Sequence, residues 1–349
     1  MSGSPVAIRN VYVMLAYAFG AIRAEGTDAV ASERFDHLHD LLAEILLRGV
    51  GAQVKRGLHR DYLHRHEPLA TVRGRIDVNR TIATRSTTRG QLVCGFDEYA
   101  ADTPHNRALK SVLVLLIRHG SVSPDRKAAL RRLLPYLDTV TLVAPSSIRW
   151  NALTYHRANA NYRMLLGACE FIVKGLLPAR GSGATRLASW VSDEAMSGLY
   201  ERFLREYYRV HHPGLAPGAP TVRWDIDQPT TKHGQLPMMR TDVTLRRGSQ
   251  TLIIDAKYYS SSLQSGAWGK STVHSAHLYQ ILAYVKNEDV RRDGSVSGLL
   301  LYARTDAPAQ PDLDVAIQGN RIGARSLDLD RPWQEIAAQL EDVVSWLEG

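Results

Sequence analysis

The chain has 349 residues, 44% of them hydrophobic, with a formal charge of +8 and a pI near 9.5. That length allows two domains with cores of their own, the composition excludes a disordered chain, and the excess of Lys and Arg suits a polyanionic partner, because phosphate contacts release counterions. Cys94 and Cys169 match no zinc spacing and no apolar run approaches the roughly 20 residues needed to span a bilayer, so a reducing cytoplasm is the expected location.

The first predicted element is a core helix over about Val11–Arg23, with Tyr12, Leu15, Tyr17 and Phe19 recurring on one face. The apolar run before Ala16-Tyr17-Ala18 is too short for a signal-peptide core. A second helix is predicted over Phe35–Arg48, then strand-like pieces at Leu58–Leu63, Thr71–Ile76 and Gln91–Tyr99. His59, His64 and His66 cluster with Arg60 and Arg65, but no fourth ligand stands at a typical zinc spacing, so surface basic residues suffice as an explanation. Between Arg73-Gly74-Arg75 and Arg89-Gly90, with Arg80 and Arg85 inside, the chain reads as a basic solvated loop or a protruding basic arm.

Helices over Asn106–Arg118 and Asp125–Leu137, a strand at Thr139–Val143 and a helix over Asn159–Leu177 follow. Pro178 to Gly183 reads as a linker, and the domain boundary is expected near residue 155, giving an N-terminal domain of 1–155 and a second of 156–349. The helix Ser192–Val210 carries a stripe of Met196, Leu199, Tyr200, Phe203, Leu204, Tyr207 and Tyr208, with Ser192 or Asp193 as its cap and Glu201 on the flank.

The segment Arg240–Tyr259 reads as a β-hairpin turning at Arg247-Gly248-Ser249. Period-2 alternation puts Asp255 and Lys257 on one face, their Cα atoms roughly 7 Å apart. Pairing through the turn carries Asp242 to the same place. Two carboxylates held together repel unless a cation lies between them. Hard oxygen ligands favour Mg²⁺, bound by one or two carboxylates, waters and substrate phosphate. The Ala256 main-chain carbonyl is a further candidate ligand, and Lys257 can position the attacking water or offset phosphoryl charge. This is the chemistry of a metal-dependent phosphodiester hydrolase.

After a Gly/Ser-rich loop over Ser260–Gly269 comes a predicted helix, His274–Lys286, with Leu278, Ile281, Leu282 and Val285 on one face and Gln280 above Tyr284. Val222–Ile226 and Ser297–Ala303 are further predicted strands, the latter central and buried, and Trp333–Leu347 is a closing amphipathic helix. Gly269-Lys270-Ser271 imitates a phosphate-binding loop, but Gln264 stands where its first glycine is required. Ser197 lacks a nucleophile-elbow context. The fold class expected is mixed α/β.

The Q-x-x-x-Y helix behind a D-x-K strand resembles the RecB-like branch of the PD-(D/E)xK nucleases. Taken with Ile8–Ala18, with Gly74-Arg75-Ile76-Asp77, and with Phe96-Asp97-Glu98 running into Asp102-Thr103-Pro104-His105-Asn106-Arg107-Ala108-Leu109-Lys110, it resembles the McrC family over nearly the whole chain. The superfamily's proline before the first Asp is Thr241 here, which removes no ligand. The resemblance implies an N-terminal partner-binding domain followed by a restriction-endonuclease-like domain, with Asp242, Asp255 and Lys257 as the catalytic set and Gln280 and Tyr284 beside them. In this superfamily an acid from the preceding helix sometimes reaches the metal, the place Glu201 holds. The family implies a modified-cytosine restriction system in which the nuclease subunit works with a hexameric AAA+ GTPase, McrB, stimulates its GTP hydrolysis and cuts double-stranded DNA. The basic arm would then suit the pore of that ring, where an arginine can act in trans. A non-catalytic regulator or DNA-binding module of such a motor and a RecB-like DNA repair nuclease are the competing readings.

Overall fold

The computed structural model describes residues 7–20, 37–157, 159–176, 192–227, 235–258, 263–265 and 271–348. These fall into two compact units, one holding the described residues of Met1–Leu41, Lys174–Ala179 and Ala188–Gly349, the other those of Leu42–Val173. The expected linker Pro178 to Gly183 and the Gly269-Lys270 pair lie outside the described residues.

Helix α1 (Ile8–Ala18) belongs to the first unit. Helix α2 (Leu38–Arg56) leads into the second and ends later than its apolar spacing suggests. Strands β1 (Asp61–Leu69) and β2 (Arg75–Ile76), helix α3 (Val78–Ala83) and strand β3 (Leu92–Ala100) follow. They form an antiparallel sheet of order β1-β3-β2. β1 runs through Pro68, which an edge position tolerates because no partner needs its missing N–H. The basic stretch is no plain loop: Asp77 caps α3 by accepting the Arg80 N–H at 3.0 Å.

Helices α4 (Pro104–His119) and α5 (Pro124–Leu133) and α6 (Tyr162–Leu176) as far as Val173 complete this unit. The expected second half of the α5 helix tightens into a 3₁₀ turn over Leu134–Leu137, where Pro135 cannot donate. The strand expected at Thr139–Val143 does not form. Two of its backbone donors are taken by side chains: Thr141 donates from N and Oγ1 to the two oxygens of Asp102, at 2.7 and 2.8 Å, and the Val143 N–H goes to Ser111 Oγ at 3.1 Å, while the Val140 N–H turns back to the Leu137 carbonyl. Asp102 also receives Arg107 through Nε and Nη2, both at 2.8 Å. Buried Asn106 donates to the carbonyls of His59 and Ala101 and accepts from Tyr162 Oη at 2.9 Å. The polar motif after β3 thus ties strand ends to helices.

The first unit continues with α7 (Asp193–His211), whose predicted stripe from Met196 to Tyr208 is buried throughout and whose cap is Ser192, accepting the Ala195 N–H. Strands β4 (Thr221–Val222) and β5 (Met239–Arg240) pair with each other. β4 stops short of the expected Ile226: the Asp225 N–H goes instead to Asn287 Oδ1 at 2.7 Å. β6 (Val243–Arg247) and β7 (Gln250–Lys257) make the predicted hairpin, closed by Gly248 at φ 57°. β8 (Leu263–Ser265) and β9 (Ser271–Val273) pair within and beyond the stretch expected to be a loop.

Helix α8 (Ser275–Glu288) then crosses to β10 (Val296–Ala303), parallel to β7. β11 (Leu313–Ile317) and β12 (Asn320–Leu327) form a hairpin that extends the sheet, and α9 (Trp333–Val344) ends in a 3₁₀ turn over Ser345–Leu347. The mixed sheet has the order β11-β12-β10-β7-β6. On one face Ile253, Leu300, Tyr302, Ile322 and Ala324 pack with Ile281, Tyr284 and Val285 of α8. On the other, Tyr200 of α7 donates to the Leu301 carbonyl and Tyr208 to the Leu340 carbonyl of α9. α1 lies against α7, Tyr17 meeting Phe203 edge-on at 5.6 Å and His211 Nε2 at 2.8 Å.

Candidate active site

β7 is buried along nearly its whole length, so its side chains are read out by face. Ile253, Asp255 and Lys257 share the α8 side by strand alternation. Asp255 is 3% and Lys257 7% exposed. Ionic side chains are seldom buried so far without a partner. Lys257 Nζ stands 2.7 Å from Asp255 Oδ2, an ion pair off the angle of a hydrogen bond, and that buried oxygen has no hydrogen-bond partner.

Asp242 lies one residue before β6, whose Val243 is paired with Ile254, and the antiparallel register therefore carries it beside Asp255. Its Oδ2 accepts the Ala256 N–H at 2.8 Å, and its own carbonyl receives Arg205 Nη1 at 3.4 Å. Burial first, then the charges of Asp255 and Glu201, push the Asp242 carboxyl up to about 8. Glu201, half-buried on α7, receives Ser197 Oγ at 3.3 Å; its carboxyl is also raised, mainly by burial and then by Asp255. Asp242 and Asp255 are therefore held at the end of the hairpin, and Glu201 is near enough to feel the charge of Asp255 and to add its own to Asp242.

From α8, Gln280 Oε1 accepts a hydrogen bond from Lys257 Nζ at 2.9 Å, and Gln280 Nε2 donates to Tyr284 Oη at 2.9 Å. The spacing of four on the helix makes that second contact. The structure thus links Asp255, Lys257, Gln280 and Tyr284 in one polar chain. Gly298 seats the helix: a Cβ there would lie 2.7 Å from both Ile281 Cγ1 and Val285 Cγ2.

Two neighbours escaped the sequence reading. His277 Nδ1 meets Tyr302 Oη at 2.9 Å, and its imidazole is held down to about 4 by burial, then by the charges of Lys257 and His274. His277, Gln280 and Tyr284 share the 3,4 stripe of α8, so that spacing pointed to the histidine. Arg205 follows Glu201 by one turn on α7 and was legible in the same way.

Among the described residues no group of three or more His, Cys, Asp or Glu is arranged as a ready metal cage. Two carboxylates do not need one, because Mg²⁺ is commonly held by one or two, with water and phosphate supplying the rest. The buried Asp255 oxygen, which Lys257 meets as an ion pair without a hydrogen bond, and the mutual repulsion of Asp242 and Asp255 suit a cation.

A family model described as "McrBC 5-methylcytosine restriction system component" matches residues 7–303. The chain is 30% identical, over 343 residues and 97% of each sequence, to the "Type IV methyl-directed restriction enzyme EcoKMcrBC" of Escherichia coli (strain K12). Solved structures from Thermococcus gammatolerans are more distantly alike. One, of McrB AAA+ hexamers with bound McrC, gives a TM-score of 0.49 at 15% identity over 96% of this chain and 76% of that chain. Another, of the McrBC complex, gives 0.39 at 18% identity over 57% of each. The match across the N-terminal helix, the Asp102 motif and the hairpin together shows that the chain belongs to the family of McrBC 5-methylcytosine restriction system components.

Proposed function

We propose that this chain is the McrC-like subunit of such a system, a Mg²⁺-dependent DNA endonuclease of the PD-(D/E)xK type. The observation that carries the reading is the convergence of Asp242, Asp255 and Lys257 at the end of β7, in a member of this family. Asp242, Asp255 and the Ala256 carbonyl would hold the ion, with Glu201 as an outer carboxylate. When bound, it supplies positive charge to the scissile phosphate and the departing oxygen. Lys257 offers an ammonium to a phosphate oxygen or to the attacking water, and Gln280 keeps that ammonium aimed. Tyr284 in turn fixes the Gln280 amide. Burial of the site keeps these charges strong by excluding water.

The partner reading rests on family membership: an AAA+ GTPase ring of the McrB kind delivers modified-cytosine DNA, and the domain read over residues 1–155 engages that ring and stimulates GTP hydrolysis. A plasmid cleavage assay with both subunits, GTP and Mg²⁺ tests it. Asp255→Ala should abolish cutting while leaving stimulation of the GTPase intact. Undiminished cutting by the variant would overturn the catalytic assignment and favour a purely regulatory subunit.

A further inference from the structure

The unit Leu42–Val173 carries a second polar array, built on the exposed face of its sheet. His64 and His66 lie two apart on β1 and so share a face. Their rings meet edge-on, 4.7 Å between centroids, and the two Nε2 atoms are 3.1 Å apart. Each imidazole turns its other nitrogen to a carboxylate. His64 Nδ1 is 3.0 Å from Asp97 Oδ1, its direct cross-strand partner on β3. His66 Nδ1 is 3.5 Å from Oδ2 of Asp77, the cap of α3, which Arg80 Nε also approaches at 3.5 Å.

The third strand-neighbour is a glycine for a visible reason. Gly95 faces His66 in the register, and a Cβ there would lie 3.2 Å from the ring carbon Cε1. The space over Gly95 is therefore the seat of the imidazole, and β1, β3 and the residue after β2 all contribute to one arrangement.

The proton count makes that arrangement unusual. A carboxylate accepts only, so Asp97 calls for an N–H at the His64 Nδ1 bonded to it, and the charge of Asp77, 3.5 Å from His66 Nδ1, draws the second N–H to the same side. If both imidazoles are neutral in that tautomer, both Nε2 atoms present lone pairs to each other at 3.1 Å, which is repulsive. An extra proton between them relieves this, and so does a cation that accepts both lone pairs. Two nitrogens bound to one tetrahedral Zn²⁺ at 2.0–2.1 Å are separated by about 3.3 Å. The observed spacing is close to that. The carboxylates sit where partners that orient metal-bound histidines sit, donating basicity through Nδ1–H.

We propose that His64 and His66 chelate one imidazole-binding divalent transition metal, of the Zn²⁺ class, with Asp97 and Asp77 orienting the two rings. The site is independent of the hairpin carboxylates and of the nuclease reading. It differs from a structural zinc site in having two protein ligands, in keeping with the absence of any larger ligand cluster among the described residues. Its remaining positions face solvent, His64 being 61% exposed, and are open to water or to a donor from outside the chain. Bound metal pins the β1 edge of the sheet.

The test is calorimetric titration of Zn²⁺ into the full chain with Mg²⁺ in excess. One Zn²⁺ should bind, with affinity falling at least about tenfold in His64→Gln and in His66→Gln, and also in Asp97→Asn, as loss of an orienting partner typically does. Binding should persist in Asp255→Ala. Equal unfolding temperatures in a chelator would show that the histidine variants fold. As a measurement needing no variant, Zn²⁺ should protect both rings from diethylpyrocarbonate, read by peptide mass mapping. Unchanged affinity in either histidine variant, absence of binding to the wild type, or modification of both rings at the same rate with and without Zn²⁺ would overturn the proposal.

Discussion

Asp242 and Ala256 are joined by a single hydrogen bond, carboxylate Oδ2 to backbone N–H at 2.8 Å, which locks the residue before β6 against the end of β7. The bond holds the Asp242 carboxylate at the residue that follows Asp255, while Arg205 of α7 holds the Asp242 carbonyl. It also leaves each carboxylate with an oxygen for other work. Asp255→Asn keeps the shape of the strand while removing a charge, so cleavage in the presence of motor, GTP and Mg²⁺ should fall on the order of 10²-fold or more. The far-ultraviolet circular dichroism spectrum should not change. Cleavage within a few fold of wild type would contradict a metal-ligating role.

Gln280 is placed to aim Lys257. Gln280→Leu removes the acceptor at 2.9 Å and leaves the buried ammonium, among the described residues, paired with Asp255, so cleavage should fall about 10- to 100-fold. Gln280→Glu retains an acceptor and should recover much of that loss. Tyr284→Phe removes only the group that steadies the amide and should cost less than tenfold. Single-turnover cleavage rates would rank the three, and an equal loss in Gln280→Glu and Gln280→Leu would remove the aiming role.

Gly298 decides how near α8 comes to the sheet. Gly298→Ala puts a methyl group 2.7 Å from two branched side chains that are themselves enclosed, which should cost about 1–3 kcal/mol of stability. Because the helix carries Gln280 and Tyr284, cleavage should fall as well. Urea unfolding beside cleavage rates checks both; unchanged stability would mean that the helix shifts without strain.

Asp102 accepts four hydrogen bonds, from Arg107 and Thr141, while being 7% exposed. Desolvation raises its carboxyl, but the Arg107 and Thr141 bonds outweigh it and hold the group down at about 2. Asp102→Ala should destabilise the Leu42–Val173 unit by about 3 kcal/mol, the scale of breaking a buried ionic contact. A shift of the urea midpoint in the full chain measures this.

Acid should loosen the same unit well before Asp102 is protonated. His59 and His105 lie 5.0 Å apart between ring centroids, and both imidazoles are lowered, by burial first, with His105 and His156 adding to it at His59 and His156 at His105. A histidine lowered in the fold binds its proton more readily when unfolded. Its stabilising effect is complete above the unfolded value of about 6.5 and is lost as pH falls from there through the folded value. Unfolding midpoints should therefore drop below pH 6.5, and His105→Gln should flatten the slope. A midpoint independent of pH between 7 and 5 would contradict this.

Much of the site could be read along the chain. The turn at Gly248 and the alternation of Ile253, Asp255 and Lys257 determined a hairpin with both ionic groups on one face, because period 2 admits nothing else. The 3,4 spacing determined the buried stripe of α7 and the Gln280 and Tyr284 pair. The tertiary structure decided what local pattern leaves open. Thr139–Val143 has the apolar spacing of a strand, yet Asp102 and Ser111, distant in sequence, take two of its backbone donors. The hairpin Leu313–Ile317 with Asn320–Leu327 joins the sheet because β10 offers it an edge, and His277 enters the site because Tyr302 stands across from it on that strand. Period and turn chemistry act between near neighbours and are written in the sequence; the partner of a buried polar group is settled only when distant segments compete for it in three dimensions.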